Sequence, residues 1–188
     1  YKATATIKVC KEDTEKKPLE KWGMALSAEG KTLESKETGA DGCVIFTVDK
    51  AATYTVTEDT PMGWTAQGLI TKDFIVADAV ATYGPHTFVN FKDVDITVCK
   101  TDTEKNPIKE WKVYVGTVEK LTGENGCATF TITEPGKYTV TEEKRDGWTA
   151  TPPISYEFTA VSGGSYGPYT FVNFQNTDVQ VCKTDTEK

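Results

Sequence analysis

Each half of the 188-residue chain places a lysine, a glutamate and an asparagine on strand-like segments whose two-residue alternation turns them the same way as the aliphatic residues around them. Ile7, Val9 and Lys11 share one face of the first such segment and Cys10 takes the other. Tyr54, Val56 and Glu58 share a face, as do Phe88 and Asn90; Lys100, Glu142 and Asn173 repeat the arrangement in the second half. A lone charge aimed at an apolar core is costly unless it meets a partner. Either these groups face one another inside, or the strand ends are wet and they sit at the rim. The other reactive side chains are five cysteines, Cys10, Cys43, Cys99, Cys127 and Cys182, and a single histidine, His86. One histidine leaves little scope for general acid–base or metal chemistry.

The elements that must position these groups recur. Val9-Cys10-Lys11 returns as Val98-Cys99-Lys100 and again as Val181-Cys182-Lys183. Between the anchors, Trp22 matches Trp111, Gly42-Cys43 matches Gly126-Cys127, Gly63-Trp64 matches Gly147-Trp148, and the run Tyr83 to Phe91 matches Tyr166 to Phe174. Such self-similarity marks tandem domains. The expected division is 1–92 for the first copy, 93–176 for the second, and 177–188 for the first strand of a further copy or a strand donated to a neighbour. The polar Lys92-Asp93-Val94-Asp95 link is short and lacks Gly and Ser, which predicts a semi-rigid connection. Short runs of Thr, Val, Tyr, Phe and Trp bounded by Gly and Pro predict an all-β chain.

Composition removes several classes of function. With 21 basic and 28 acidic residues the net charge is -7, and the cations are dispersed among acids, so no field collects a nucleic acid. No apolar run approaches the roughly 20 residues of a membrane-spanning helix. The chain starts at Tyr1 with neither methionine nor a leader pattern, which reads as a processed product or an excerpt.

The ordered motifs resemble those of Cna B-type, or SpaA-like, domains of prokaryotic surface adhesins, pilins and extracellular filaments. They are the first-strand Val-x-Lys-x-Asp followed by Pro18-Leu19 or by Pro107-Ile108, the Gly42 to Phe46 and Gly126 to Phe130 segments, Tyr-x-Val-x-Glu, Gly-Trp, and a closing Phe-Val-Asn. The resemblance implies two tandem Greek-key, prealbumin-like (inverse-Ig) β-sandwiches. It also implies that the first-strand lysine condenses with the last-strand asparagine, assisted by the glutamate: Lys11 with Asn90 through Glu58, and Lys100 with Asn173 through Glu142. An apolar enclosure favours a neutral, nucleophilic lysine and a protonated glutamate that polarises the amide. Such an isopeptide bond forms once, so the protein is expected not to be an enzyme in the ordinary sense.

Cys10 with Cys43, and Cys99 with Cys127, recur at equivalent positions, and in the resembling fold their strands can be neighbours, so each copy is expected to hold one disulfide. Each would close a loop of about 30 residues, nominally about 3 to 4 kcal/mol. Cys182 would be unpaired or would pair outside the segment. The absence of a Cys-x-x-Cys pair argues against metal, and no cofactor is expected. Trp22, Trp64, Trp111 and Trp148 could form a sugar platform but suit a core better. Asp13, Glu15, Asp102 and Glu104 lack the rest of a calcium loop and suit a solvated edge.

The expected function is a structural module of an extracellular or cell-surface tandem-repeat protein, a stalk, sheath or filament held by disulfides and self-formed isopeptides. Its partners would be neighbouring repeats or identical subunits end to end, including by strand donation. The alternative is an adhesin repeat that binds a host, matrix or glycan ligand through the tryptophans and variable loops such as Glu34 to Thr38 and Val161 to Ser165.

Overall fold

The structure, a computed structural model, describes residues 4–78 and 80–184. Of the segment expected to begin a further copy, residues 185–188 therefore lie outside the described residues, as do 1–3 of the first copy. Internal packing divides the chain into two compact units. One comprises Tyr1–Val94, Thr131–Gly136 and Thr159–Ser165; the other comprises Asp95–Phe130, Lys137–Phe158 and Tyr166–Lys188.

The first copy is built from β1 (Ala5–Asp13), β2 (Gly23–Ala28), β3 (Lys31–Glu37), β4 (Cys43–Val48), β5 (Ala52–Glu58), β6 (Trp64–Ala66), β7 (Thr71–Val76) and β8 (Thr82–Lys92). They form two four-stranded sheets, ordered β4-β1-β8-β6 and β3-β2-β5-β7. In the first sheet β1 runs antiparallel to β4 and parallel to β8. Strict alternation of buried and half-buried residues along β1 is what the sequence pattern demands of a strand with one covered face. Ile7, Val9, Phe46 and Phe88 from this sheet meet Met24, Leu26, Tyr54, Val56 and Phe74 from the other in one apolar core, which makes the copy a β-sandwich.

The second copy follows the same plan with β9 (Val94–Asp102), β10 (Lys112–Val115), β11 (Val118–Leu121), β12 (Cys127–Ile132), β13 (Gly136–Glu142), β14 (Trp148–Thr151), β15 (Ser155–Ala160) and β16 (Tyr169–Gln175). Its sheets are ordered β12-β9-β16-β14 and β11-β10-β13-β15, with β9 parallel to β16. Ile96, Val98, Val113, Val140, Phe130 and Phe171 are buried at the matching positions.

One segment differs from the sequence expectation. Glu34 to Thr38 is not a variable loop: Glu34–Glu37 belongs to β3, and Thr38 is buried. Its hydroxyl donates to the Leu19 carbonyl and accepts the Trp22 backbone N–H, and Thr122 does the same between Ile108 and Trp111. Residues 177–184 form no strand here, and Val179 and Val181 are exposed.

Candidate functional site

Three strands bring the three reactive groups of each copy together. In the parallel register of β1 and β8, Lys11 lies beside Phe88 and Asn90 beside Asp13, so Lys11 and Asn90 are diagonal neighbours on the inward face. Glu58, the last residue of β5, projects from the opposite sheet. Lys100, Phe171, Asp102 and Asn173 repeat the register between β9 and β16. Lys11 is 1% exposed, Glu58 3% and Asn90 0%, while Lys100 is 0% and Asn173 3%. The rim reading therefore does not hold for these side chains.

Lys11 Nζ stands 2.9 Å from Glu58 Oε2, and Lys100 Nζ 3.2 Å from Glu142 Oε2. Proximity does not satisfy these groups. Lys11 Nζ, Glu58 Oε2, both polar atoms of the Asn90 amide, Glu142 Oε2 and Asn173 Oδ1 are buried without a well-formed hydrogen bond, whereas Lys100 Nζ reaches the Thr101 carbonyl at 3.5 Å. Burial lowers the pKa of both lysines and raises that of both glutamates, outweighing the opposite pull of the partner in each pair. Both directions favour moving the shared proton from nitrogen to oxygen, leaving an amine and a carboxylic acid beside a carboxamide.

Each lysine is roofed by a tryptophan: Lys11 Nζ lies 4.8 Å from the Trp22 ring centroid, and Lys100 Nζ 4.8 Å from that of Trp111. Trp64 and Trp148 meet these indoles edge-on at 5.1 and 5.5 Å. Trp22 and Trp111 are thus buried walls of the site and not an open sugar platform. In the second copy the Arg145 guanidinium covers Trp111 at 4.2 Å while bonding to the Glu110 carbonyl and to Glu143. A pocket of about 510 Å3, walled by Arg145, Trp148 and Ile154, reaches Glu142 and Asn173.

The structure joins Cys10 to Cys43 and Cys99 to Cys127, and Cys182 is free and exposed. In the first copy the bridge links residues directly opposite in an antiparallel pair, Cys10 on β1 against Cys43 on β4, and in the second it joins the neighbouring strands β9 and β12. The acidic positions serve turns: Asp13 Oδ1 accepts the N–H groups of Glu15 and Lys17, and Asp102 Oδ1 those of Glu104 and Asn106. Among the described residues no three side chains converge as metal donors. His86 packs edge-on against Phe88 at 4.7 Å. Sequence reasoning missed Thr38, Thr122 and Arg145. Recurrence alone could have found the two threonines, which occupy the same place before Gly39 and Gly123.

No protein-family profile and no curated protein matches this sequence. Solved structures similar in fold include the Bacillus anthracis TIE protein, at 19% identity and a TM-score of 0.48 over 90% of this chain and 34% of that one. A Streptococcal ancillary pilin aligns at 19% identity and a TM-score of 0.44, covering 95% of this chain and 63% of that one. The shaft pilin SpaA from Lactobacillus rhamnosus GG aligns at 13% identity and a TM-score of 0.40, covering 94% of this chain and 100% of that one. The chain thus spans about a third of the first of these proteins and under two thirds of the second, and its likeness to all three is one of fold.

Proposed function

We propose that this chain is a structural module of an extracellular prokaryotic tandem-repeat surface protein, a stalk, sheath or filament whose β-sandwiches are locked by disulfides and by self-formed Lys11–Asn90 and Lys100–Asn173 isopeptide bonds. The reading rests on one observation made twice: a buried lysine and a buried asparagine meet a glutamate inside the sandwich, and in each copy buried polar atoms of the trio are left without a hydrogen bond. Burying two charges costs several kcal/mol per ion, and an ion pair of poor geometry does not offset it. Condensation removes that cost by consuming the groups.

The lysine gives its proton to the glutamate and the neutral Nζ attacks the asparagine Cγ. The glutamic acid polarises the amide oxygen and returns a proton to the departing nitrogen. A Cγ–Nζ bond forms, the Cγ–Nδ2 bond breaks, and the proton that Nζ sheds on becoming an amide also passes through the carboxylate to the departing nitrogen, which leaves as ammonium, so the glutamate ends as it began. The protein changes only itself. In this reading residues 1–92 and 93–176 are successive modules, and 177–188 starts a third or is donated to a neighbouring subunit. The bond between parallel first and last strands would carry tension across each module through covalent links.

Intact mass under denaturing conditions, before and after reduction, tests the proposal. Each isopeptide removes about 17 Da that reduction leaves unrestored, and each disulfide about 2 Da that it restores. A deficit of about 34 Da after reduction supports both cross-links; the full sequence mass would refute them.

A further inference from the structure

We propose that the disulfide beside each lysine is the positioning device of the cross-link: it closes first, and by fixing the strand end next to Lys11, and next to Lys100, it sets the rate at which the amine reaches its asparagine. The inference rests on the self-cross-linking reading above.

Cys10 immediately precedes Lys11, and Cys10 opposite Cys43 is the last pair of the β1–β4 ladder. One residue on, the Lys11 N–H donates to the Gly42 carbonyl at 2.7 Å, and the Lys11 carbonyl accepts the Leu19 N–H at 3.0 Å. Gly42 is pressed against the same peptide, since a Cβ there would stand 2.6 Å from the Lys11 oxygen and 2.8 Å from Pro18 Cβ. The lysine backbone is therefore gripped on both polar atoms by two pieces of the loop that the disulfide closes. The second copy repeats each contact: the Lys100 N–H to Gly126 O at 2.8 Å, the Ile108 N–H to Lys100 O at 2.9 Å, and a Cβ on Gly126 2.7 Å from the Lys100 oxygen. Cys99 and Cys127 again sit one residue from the grip.

The side chain does not hold itself. Before reaction the enclosed amine is a group that water would solvate better, and fraying of the strand end offers that escape. The disulfide closes the escape at the adjacent residue, keeping the amine in near-attack range of the amide. In sequence, the two thiols pass two electrons and two protons to an external disulfide, which leaves as a dithiol. Lysine Nζ then displaces ammonia from the asparagine Cγ.

The test is timed cell-free synthesis of the whole chain with an oxidised dithiol present, quenched in acidic denaturant and followed by peptide mass mapping of each copy. A C10A/C43A variant keeps Cys99–Cys127 as an internal control, and C99A/C127A is its converse. The expected result is that cross-linking slows about ten- to a hundredfold in the altered copy alone. Equal rates in altered and parent copies overturn the inference. Amide exchange at Leu26 and Val56, measured in an Asn90→Ala background, separates position from fold: undiminished protection with slower linking is the positioning result. Should protection fall, C10V/C43V, which restores an apolar cross-strand pair, is timed instead, and recovery of the parental rate overturns the proposal whereas continued slowing supports it. Absence of any linkage in the parent would refute the cross-linking reading itself, an outcome distinct from equal rates.

Discussion

Lys100 Nζ lies 4.8 Å from the centroid of the Trp111 ring, and the same distance separates Lys11 Nζ from Trp22. An indole face attracts an ammonium, yet it supplies no hydrogen-bond acceptor to replace lost water. Each tryptophan therefore seals its lysine in without solvating it. The two lids are fastened differently. The Trp22 indole N–H donates to the Asp59 carbonyl, whereas the Trp111 N–H lacks a well-formed partner, faces Glu142 and lies under Arg145.

Removing a lid should cost both stability and reaction. Trp22→Ala is expected to destabilise the first copy by about 3 to 5 kcal/mol and to admit water to Lys11. Urea unfolding in the Asn90→Ala background, where no cross-link can mask the loss, measures the first effect, and the first copy's 17 Da deficit, expected to be slow or absent, measures the second. Trp22→Phe, which keeps an aromatic roof, should fall between. A variant that links as fast as the parent would show that the enclosure is unnecessary.

The glutamates should be separable from the fold. Glu58→Ala and Glu142→Ala are each expected to leave an intact sandwich and to restore about 17 Da to the mass of the copy altered. The other copy should be unaffected. Unchanged masses relative to a cross-linked parent would contradict the proton-transfer role.

Alternation carried a large part of the site in the sequence. Along β1 the period of two puts Lys11 in register with Ile7 and Val9, and the structure buries all three. Recurrence of Gly42-Cys43 as Gly126-Cys127 likewise pointed to the cross-strand bridges. What one strand cannot reveal is the group facing it from the other sheet. Whether Lys11 is wet or roofed depends on Trp22, which precedes β2, and periodicity along β1 contains no information about it. Thr38 was misread because a polar residue after a charged run looks like loop, whereas its hydroxyl serves two backbone groups of a buried turn. Arg145 has no counterpart in the first copy, where Pro61 holds its place, so recurrence could not flag it.

A lysine-free variant isolates the pH dependence of the buried acid. In Lys11→Met, Glu58 keeps the burial that raises its pKa and loses the partner that lowered it. The folded state then holds a proton that the unfolded chain releases near 4.5, the ordinary value for this carboxyl group. Stability is fully present below that value and falls as pH rises from it towards the folded pKa, by about 1.4 kcal/mol per pK unit of elevation, then stays level. Thermal unfolding of the first copy between acid and neutral pH measures the slope, and K11M/E58Q should be flat over the same range. Stability that rises with pH in Lys11→Met would mean that the carboxylate has found another cationic partner.

The glycine grip should be intolerant of a methyl group. At Gly126 φ is +73° and a Cβ would meet the Lys100 carbonyl oxygen at 2.7 Å and Pro107 Cβ at 2.8 Å, both on rigid groups. Gly126→Ala is expected to destabilise the second copy by more than about 1 kcal/mol and to slow its cross-linking, while Gly147→Ala, with open space around the Cβ, bears only the left-handed backbone penalty of about 1 kcal/mol. Urea titration and mass mapping compare the pair, and equal linking rates in both variants would mean that the peptide of Lys100 tolerates displacement.

Pulling the molecule from its ends should read out both locks in order. β1 and β8 are parallel neighbours, so tension enters the first copy along β1 and leaves along β8, and a Lys11–Asn90 bond shields the chain between them. The parent should therefore show no unfolding step for this copy. In Glu58→Ala the isopeptide is absent and the chain extends, but the Cys10–Cys43 bridge still withholds a loop with a sequence separation of 33. Reduction should lengthen that step by about 110 Å, the extended length of such a loop. A step of equal length with and without reductant would mean that the bridge does not bear the load, and a full-length step in the parent would mean that the first and last strands are not covalently joined.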